Sequence, residues 1–141
     1  MKKICAFIGN KTLKDREKYW ANLRMRLMSM ITFDGVKAFC FFEDGDLARL
    51  CYDILVDLKN TLYSKFYICR FLQNGESADT DKFDFVLTFN KRDADMTIYS
   101  FIDFFDYIVF DVDFNNFEVE ALLYAKKKRK AVLLSRLGES A

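Results

Sequence analysis

The chain contains no histidine and no proline, and only five glycines and one tryptophan. Without histidine, no Ser-His-Asp or Cys-His pair and no histidine-ligated metal centre can form. Without proline, no turn rests on a fixed φ or on a cis peptide. Net charge is nearly absent too: 22 basic residues against 21 acidic ones leave +1. That balance excludes a polyanion-coating surface, so nucleic acid is not an expected partner. Long apolar runs are also missing. After Met1-Lys2-Lys3 the first apolar stretch stops at Ile8, too short for a signal-peptide core, and no run approaches the roughly 18 residues of a membrane span. A cytoplasmic protein with no membrane partner is the expectation.

What the chain does have is material for a core. Its 141 residues are 52% hydrophobic and 30% charged, the balance of one globular domain spanning 1–141 rather than of a disordered chain. The four cysteines, Cys5, Cys40, Cys51 and Cys69, show no CxxC spacing. Three lie within apolar runs and Cys51 lies on an apolar helix face, so they read as packed core thiols.

Along the chain, short apolar runs alternate with helical stripes. Ile4–Ile8, Val36–Phe42, Phe66–Leu72, Phe83–Phe89, Tyr107–Phe110 and Ala131–Leu134 read as strands. Between them Leu13, Tyr19, Trp20, Leu23, Leu27 and Ile31 form one helical stripe, with Thr12 as its cap, Asp15 three residues on, and Gly35 as its stop. Leu47, Leu50, Cys51, Ile54, Leu55 and Leu58 form a second, with Asp46 as its cap. Helices are also expected near 92–104 and over 117–129, and a polar loop at 73–82. This alternation predicts an α/β, Rossmann-like, doubly wound and mostly parallel sheet of about six strands, with helices on both faces.

Such sheets bind ligands beyond the carboxyl ends of their strands, near the point where strand order reverses. Gly9-Asn10-Lys11 follows the first strand, where a glycine permits close backbone approach and a lysine offers charge to an anion. The second strand runs into Glu43-Asp44-Gly45-Asp46. The fifth runs into Asp111 and Asp113, with Asn115-Asn116 opening the next helix. The five carboxylates could hold a divalent metal through oxygen ligands. The plainer reading makes them helix caps that favour positive dipole ends; neither a metal nor a cofactor is expected. The run Lys126–Lys130 reads as the solvated end of a helix. Sixteen phenylalanines exceed what one small sheet hides easily, so some are expected to face a second chain.

In this order the motifs resemble a known family. Lys3-Ile4-Cys5-Ala6-Phe7-Ile8-Gly9-Asn10-Lys11 is similar to the K-x-C-x-F-T-G-H-R opening of the YpsA-like branch of the SLOG superfamily. Phe101 to Val109 resembles that branch's M-I-D-x-S-D-Y-L-I segment, and Tyr124-Ala125-Lys126-Lys127-Lys128 resembles its Y-A-K-K-K. The likeness runs with gaps from about residue 2 to 135. It departs at the loops: T-G-H-R becomes Ile8-Gly9-Asn10-Lys11, the glycine-rich turn becomes Glu43-Asp44-Gly45-Asp46, and G-G-T becomes Asn116-Phe117-Glu118. The resemblance implies a divergent SLOG-like domain that binds a nucleotide-like small molecule without catalysis, through Gly9, Asn10, Lys11, Gly45, Asn115 and Asn116. It also implies a homodimer. Two alternatives stand beside it: a homo-oligomeric interaction protein with a decayed ligand site, and a phosphoribohydrolase-like hydrolase using Glu118 or Glu120.

Overall fold

A computed structural model of the chain describes residues 3–8, 16–42, 45–63, 65–73, 80–89, 105–110, 127–128 and 131–134. Six segments form strands: β1 (Lys3–Ile8), β2 (Val36–Phe41), β3 (Tyr67–Gln73), β4 (Phe85–Phe89), β5 (Tyr107–Phe110) and β6 (Ala131–Leu134). Two form helices, α1 (Arg16–Thr32) and α2 (Asp46–Thr61), and Thr80–Lys82 makes one 3-10 turn. The expected helices around 92–104 and over 117–129 lie outside the described residues, apart from the exposed Lys127 and Lys128. So do Thr12 and Asp15.

The strands build one sheet in the order β4-β3-β2-β1-β5-β6, and every pairing is parallel. Parallel neighbours require a crossover, and the stripes on α1 and α2 explain where the crossovers lie. Leu23, Leu27 and Ile31 from α1 are buried with Leu47, Leu50, Ile54, Leu55 and Leu58 from α2, against Cys5, Phe7, Phe39, Phe41 and Ile68 of the sheet. Both helices therefore cover the same face. They are also tied to each other by ion pairs from Arg16 to Asp53 and, at 2.7 Å, from Arg24 to Asp57. The first pair is solvent-exposed and the second partly so, so they orient the helices more than they stabilise them.

On the opposite face Ala6, Cys40 and Ile108 are buried. Beside them Phe42 stacks on Phe71 at 4.9 Å, and the Phe42 and Phe105 rings meet edge to face with centroids 5.8 Å apart. Helices were expected on both faces, and the segments expected to supply those of this face lie outside the described residues. Toward β4 the same face is open to water, at Tyr67, Phe85 and Leu87.

Gly35 stops α1 as the sequence reading expected, whereas the starts of α2 and β4 differ from it. Gly35 has a φ of +76°, the left-handed conformation that lets α1 stop and the chain reverse into β2. Asp46 is not the cap of α2. Gly45 holds that position at φ −74° and ψ 178°, and no side-chain cap hydrogen bond is made there among the described residues. β4 begins at Phe85 rather than at Phe83, because Phe83 packs its ring against Tyr52 and Phe41.

Candidate functional site

Strand order reverses between β1 and β5. From β1 the chain crosses outward to β2, β3 and β4, while β5 and β6 lie on its other side. Ile8 and Phe110 end these two strands as register partners. This is the switch point at which doubly wound sheets form a ligand crevice.

Of the six residues expected to line it, the structure describes Gly45, half-buried at the start of α2 beyond the carboxyl end of β2. Its carbonyl accepts the first helical hydrogen bond, from the Arg49 N–H at 3.0 Å. The early N–H groups of α2 thus meet no capping side chain from Gly45. Gly9, Asn10, Lys11, Asn115 and Asn116 lie outside the described residues. Among the five neighbouring carboxylates only Asp46 is described; it stands in the first turn of α2, where a negative charge favours the helix dipole. The described residues contain no cluster of three or more side chains suited to hold a metal.

Below the strand ends lies a row of register partners, Val109, Phe7, Phe41, Arg70 and Val86. The rings of Phe7 and Phe41 stack at 4.5 Å, 8° from parallel. Arg70 is 2% exposed, the only buried charged side chain among the described residues. Its guanidinium brings a positive charge into the floor of the strand-end region. Sequence reasoning missed it, although a signal was present. In Phe66–Leu72 the inward positions are Phe66, Ile68, Arg70 and Leu72, and a charge at an inward position of a buried strand is unusual enough to mark.

The opposite end of the sheet uses carboxylates in a way that spacing alone did not reveal. Asp106 precedes β5, and its N–H donates to the Ile4 carbonyl while its Oδ2 accepts from the Ile4 N–H, both at 2.9 Å. Asp84 precedes β4 and makes the same pair of bonds with Ile68, both at 2.8 Å. Each aspartate extends the parallel pairing of its strand by one step, with a side chain replacing a carbonyl. The sequence echo is Phe83-Asp84-Phe85 and Phe105-Asp106-Tyr107. These carboxylates serve pairing at the amino ends of the strands, away from the crevice.

Asp84 also accepts from Lys59 Nζ at 2.6 Å. Burial pulls its carboxyl upward, but the hydrogen bonds from Lys59 and the Ile68 N–H, with the Lys59 charge, hold it below its ordinary value. A depressed carboxyl stabilises the fold above its unfolded-state pKa and loses that contribution as pH falls through the folded one. Asp84→Asn is therefore expected to cost about 1 kcal/mol at pH 6, given a pair that is one-third exposed. The difference from the parent should shrink below about pH 4. Urea unfolding of both proteins at the two pH values checks it; a gap that does not change with pH would remove the ionic role.

The cysteines are all free and buried. Cys40 and Cys69 are register partners on β2 and β3. The Cys40 thiol donates to the Cys69 sulfur, which together with burial raises Cys40, and accepting that bond lowers Cys69 against the effect of burial. Burial pushes the Cys5 thiol up.

No protein-family model matches the chain, and no curated protein matches it in sequence. Among solved structures it is similar to the molybdenum cofactor carrier protein of Chlamydomonas reinhardtii. The two share 14% identity at a TM-score of 0.60, over 95% of this chain and 76% of the other. At that identity the likeness establishes the fold, which is Rossmann-like. Among the described residues no helix is long and apolar enough to cross a membrane.

Proposed function

We propose that the chain binds a nucleotide-like small molecule, without catalysis, in the crevice at the switch point between β1 and β5. The observation that carries this is the pairing of Ile8 with Phe110 at the reversal of strand order. In the sequence Gly9-Asn10-Lys11 comes directly after β1, and Asn115 and Asn116 come a few residues after β5. Support comes from the start of α2, where Gly45 supplies no side chain to occupy the early N–H groups, an arrangement that favours an anionic oxygen. A protein of similar fold is named as a carrier of the molybdenum cofactor, a precedent for holding a small molecule on this scaffold. The same reading assigns the chain to a divergent branch of the SLOG superfamily, on the ordered motifs from Lys3 to Lys11, Phe101 to Val109 and Tyr124 to Lys128. It makes Gly9, Asn10, Lys11, Gly45, Asn115 and Asn116 the contact residues.

The acidic neighbours give the proposal its test. At an effective dielectric of about 20, one carboxylate roughly 6 Å from a phosphate costs on the order of 3 kcal/mol before salt screens it. Glu43, Asp44, Asp46, Asp111 and Asp113 thus oppose a free phosphate unless a cation intervenes. Nucleoside mono- and diphosphates are expected to bind weakly alone and at least tenfold more tightly with Mg²⁺, as read by calorimetry. Lys11→Ala is expected to abolish the signal in either condition. No heat with any nucleotide at near-millimolar protein would overturn the reading, and turnover of a nucleoside monophosphate would overturn its non-catalytic part.

A further inference from the structure

We infer that β4 is a self-association edge, through which two copies of this chain pair antiparallel over Phe85–Phe89 about a two-fold axis at Leu87. The inference rests on a different surface from the ligand reading and stands or falls without it. Among the described residues β4 ends the sheet and pairs only with β3, so one side of the strand meets no other described strand. Natural edge strands carry a charge, a proline or a bulge that blocks pairing with another chain. Phe85-Val86-Leu87-Thr88-Phe89 has no charge and no proline, and its register with β3 runs without a shift from Phe85 to Phe89.

The face beside this edge is apolar and wet. Tyr67 is 45% exposed, Phe85 53% and Leu87 51%, and the Tyr67 and Phe85 rings meet at 5.3 Å. Two-fold pairing of β4 keeps the faces of both sheets aligned, so the two patches join into one stripe across the axis. The occupant is a second copy for a reason of charge. A strand without charges meets no like charge in itself, and it offers a foreign strand no pattern to select. A two-fold contact also closes, so it stops at the dimer.

Area sets the strength. About half of each of the three side chains is in water, and a large side chain offers roughly 150–250 Å², so together they supply on the order of 600 Å² over two copies. A standard stable interface buries about 1,200–2,000 Å². The backbone of β4 supplies part of the difference, which leaves a dimer that dissociates in the micromolar range and is visible through its concentration dependence.

Sedimentation of the full chain from low micromolar to near-millimolar concentration is expected to show a monomer passing to a dimer and no further. Leu87→Lys and Phe85→Lys, both at exposed positions and both retaining the parent circular dichroism, are expected to weaken dimerisation at least tenfold. Leu87→Cys, held in a glutathione redox buffer, is expected to form a disulfide-linked dimer because the axis brings residue 87 against its own copy. Lys127→Cys, equally exposed, is expected to remain monomeric on a non-reducing gel. A monomer at every concentration would overturn the inference. So would a dimer that both lysine variants leave intact, since the contact would then lie elsewhere, and so would open-ended association, which a two-fold contact forbids.

Discussion

Replacement of Phe41 by alanine is expected to destabilise the protein by about 4 kcal/mol, the middle of the range for a buried phenylalanine. Phe41 occupies the middle of the face covered by α1 and α2. Its ring stacks on Phe7 at 4.5 Å and approaches Tyr52 and Phe83 at 6.5 Å each. The missing ring would leave a cavity bounded by strands on one side and by α2 on the other. Neither can close it without moving the register partners Phe7 and Arg70. For a domain of this size the melting midpoint should fall by roughly 10–15 °C. Part of the loss belongs to the Phe7 pair alone, about 1 kcal/mol beyond area for a stacked pair. A double-mutant cycle with Phe7→Leu and Phe41→Leu isolates that coupling. A loss below 1.5 kcal/mol for Phe41→Ala would mean that the sheet relaxes around the gap far more than a close-packed interior allows.

At Arg70 the expected result separates charge from volume. Arg70→Ala should cost about 3–5 kcal/mol, because it removes a long buried stem and disturbs the groups that compensate a buried charge. Arg70→Met keeps most of the stem and carries no charge to desolvate, so its cost should stay near 1–2 kcal/mol. Arg70→Lys is not a mild change here, since a compact ammonium is hydrated more strongly than a guanidinium and suffers more from burial. Urea unfolding of the three variants gives the order Met, then Lys, then Ala, in increasing loss. An equal loss for Met and Ala would assign the whole effect to the charge and none to the stem. The outcome bears on the crevice, because Arg70 stands in the row just below the strand ends.

Much of the fold was legible because hydrophobic period and length decide it locally. Tyr107–Phe110 and Ala131–Leu134 are strands with the ends that their apolar runs set, and the α2 stripe is the buried face of α2. Chain alternation implied parallel strands, and right-handed crossovers left few topologies to choose from. The ends of elements were less legible. Asp46 looked like the cap of α2, but a cap depends on backbone angles that Gly45 adopts, and composition does not carry them. Phe83 looked like the start of a strand because its apolarity does not distinguish pairing with β3 from packing on Tyr52.

The candidate site was legible only as a place. A strand followed by Gly9-Asn10-Lys11 points to a strand-end crevice on any doubly wound sheet, and the chain order shows which strands precede it. By itself, then, the sequence determined the class of fold, the two covering stripes and the absence of histidine chemistry, since each follows from local composition and period. Tertiary structure alone decided that order reverses between β1 and β5, and that Asp84 and Asp106 pair strands. It alone decided that Arg70 lies buried in the row below the strand ends, and that β4 ends the sheet among the described residues. The physical reason is the same in each case. Strand pairing joins residues far apart in the chain, and a side chain's role depends on the neighbour that pairing brings to it, which no window of the sequence contains.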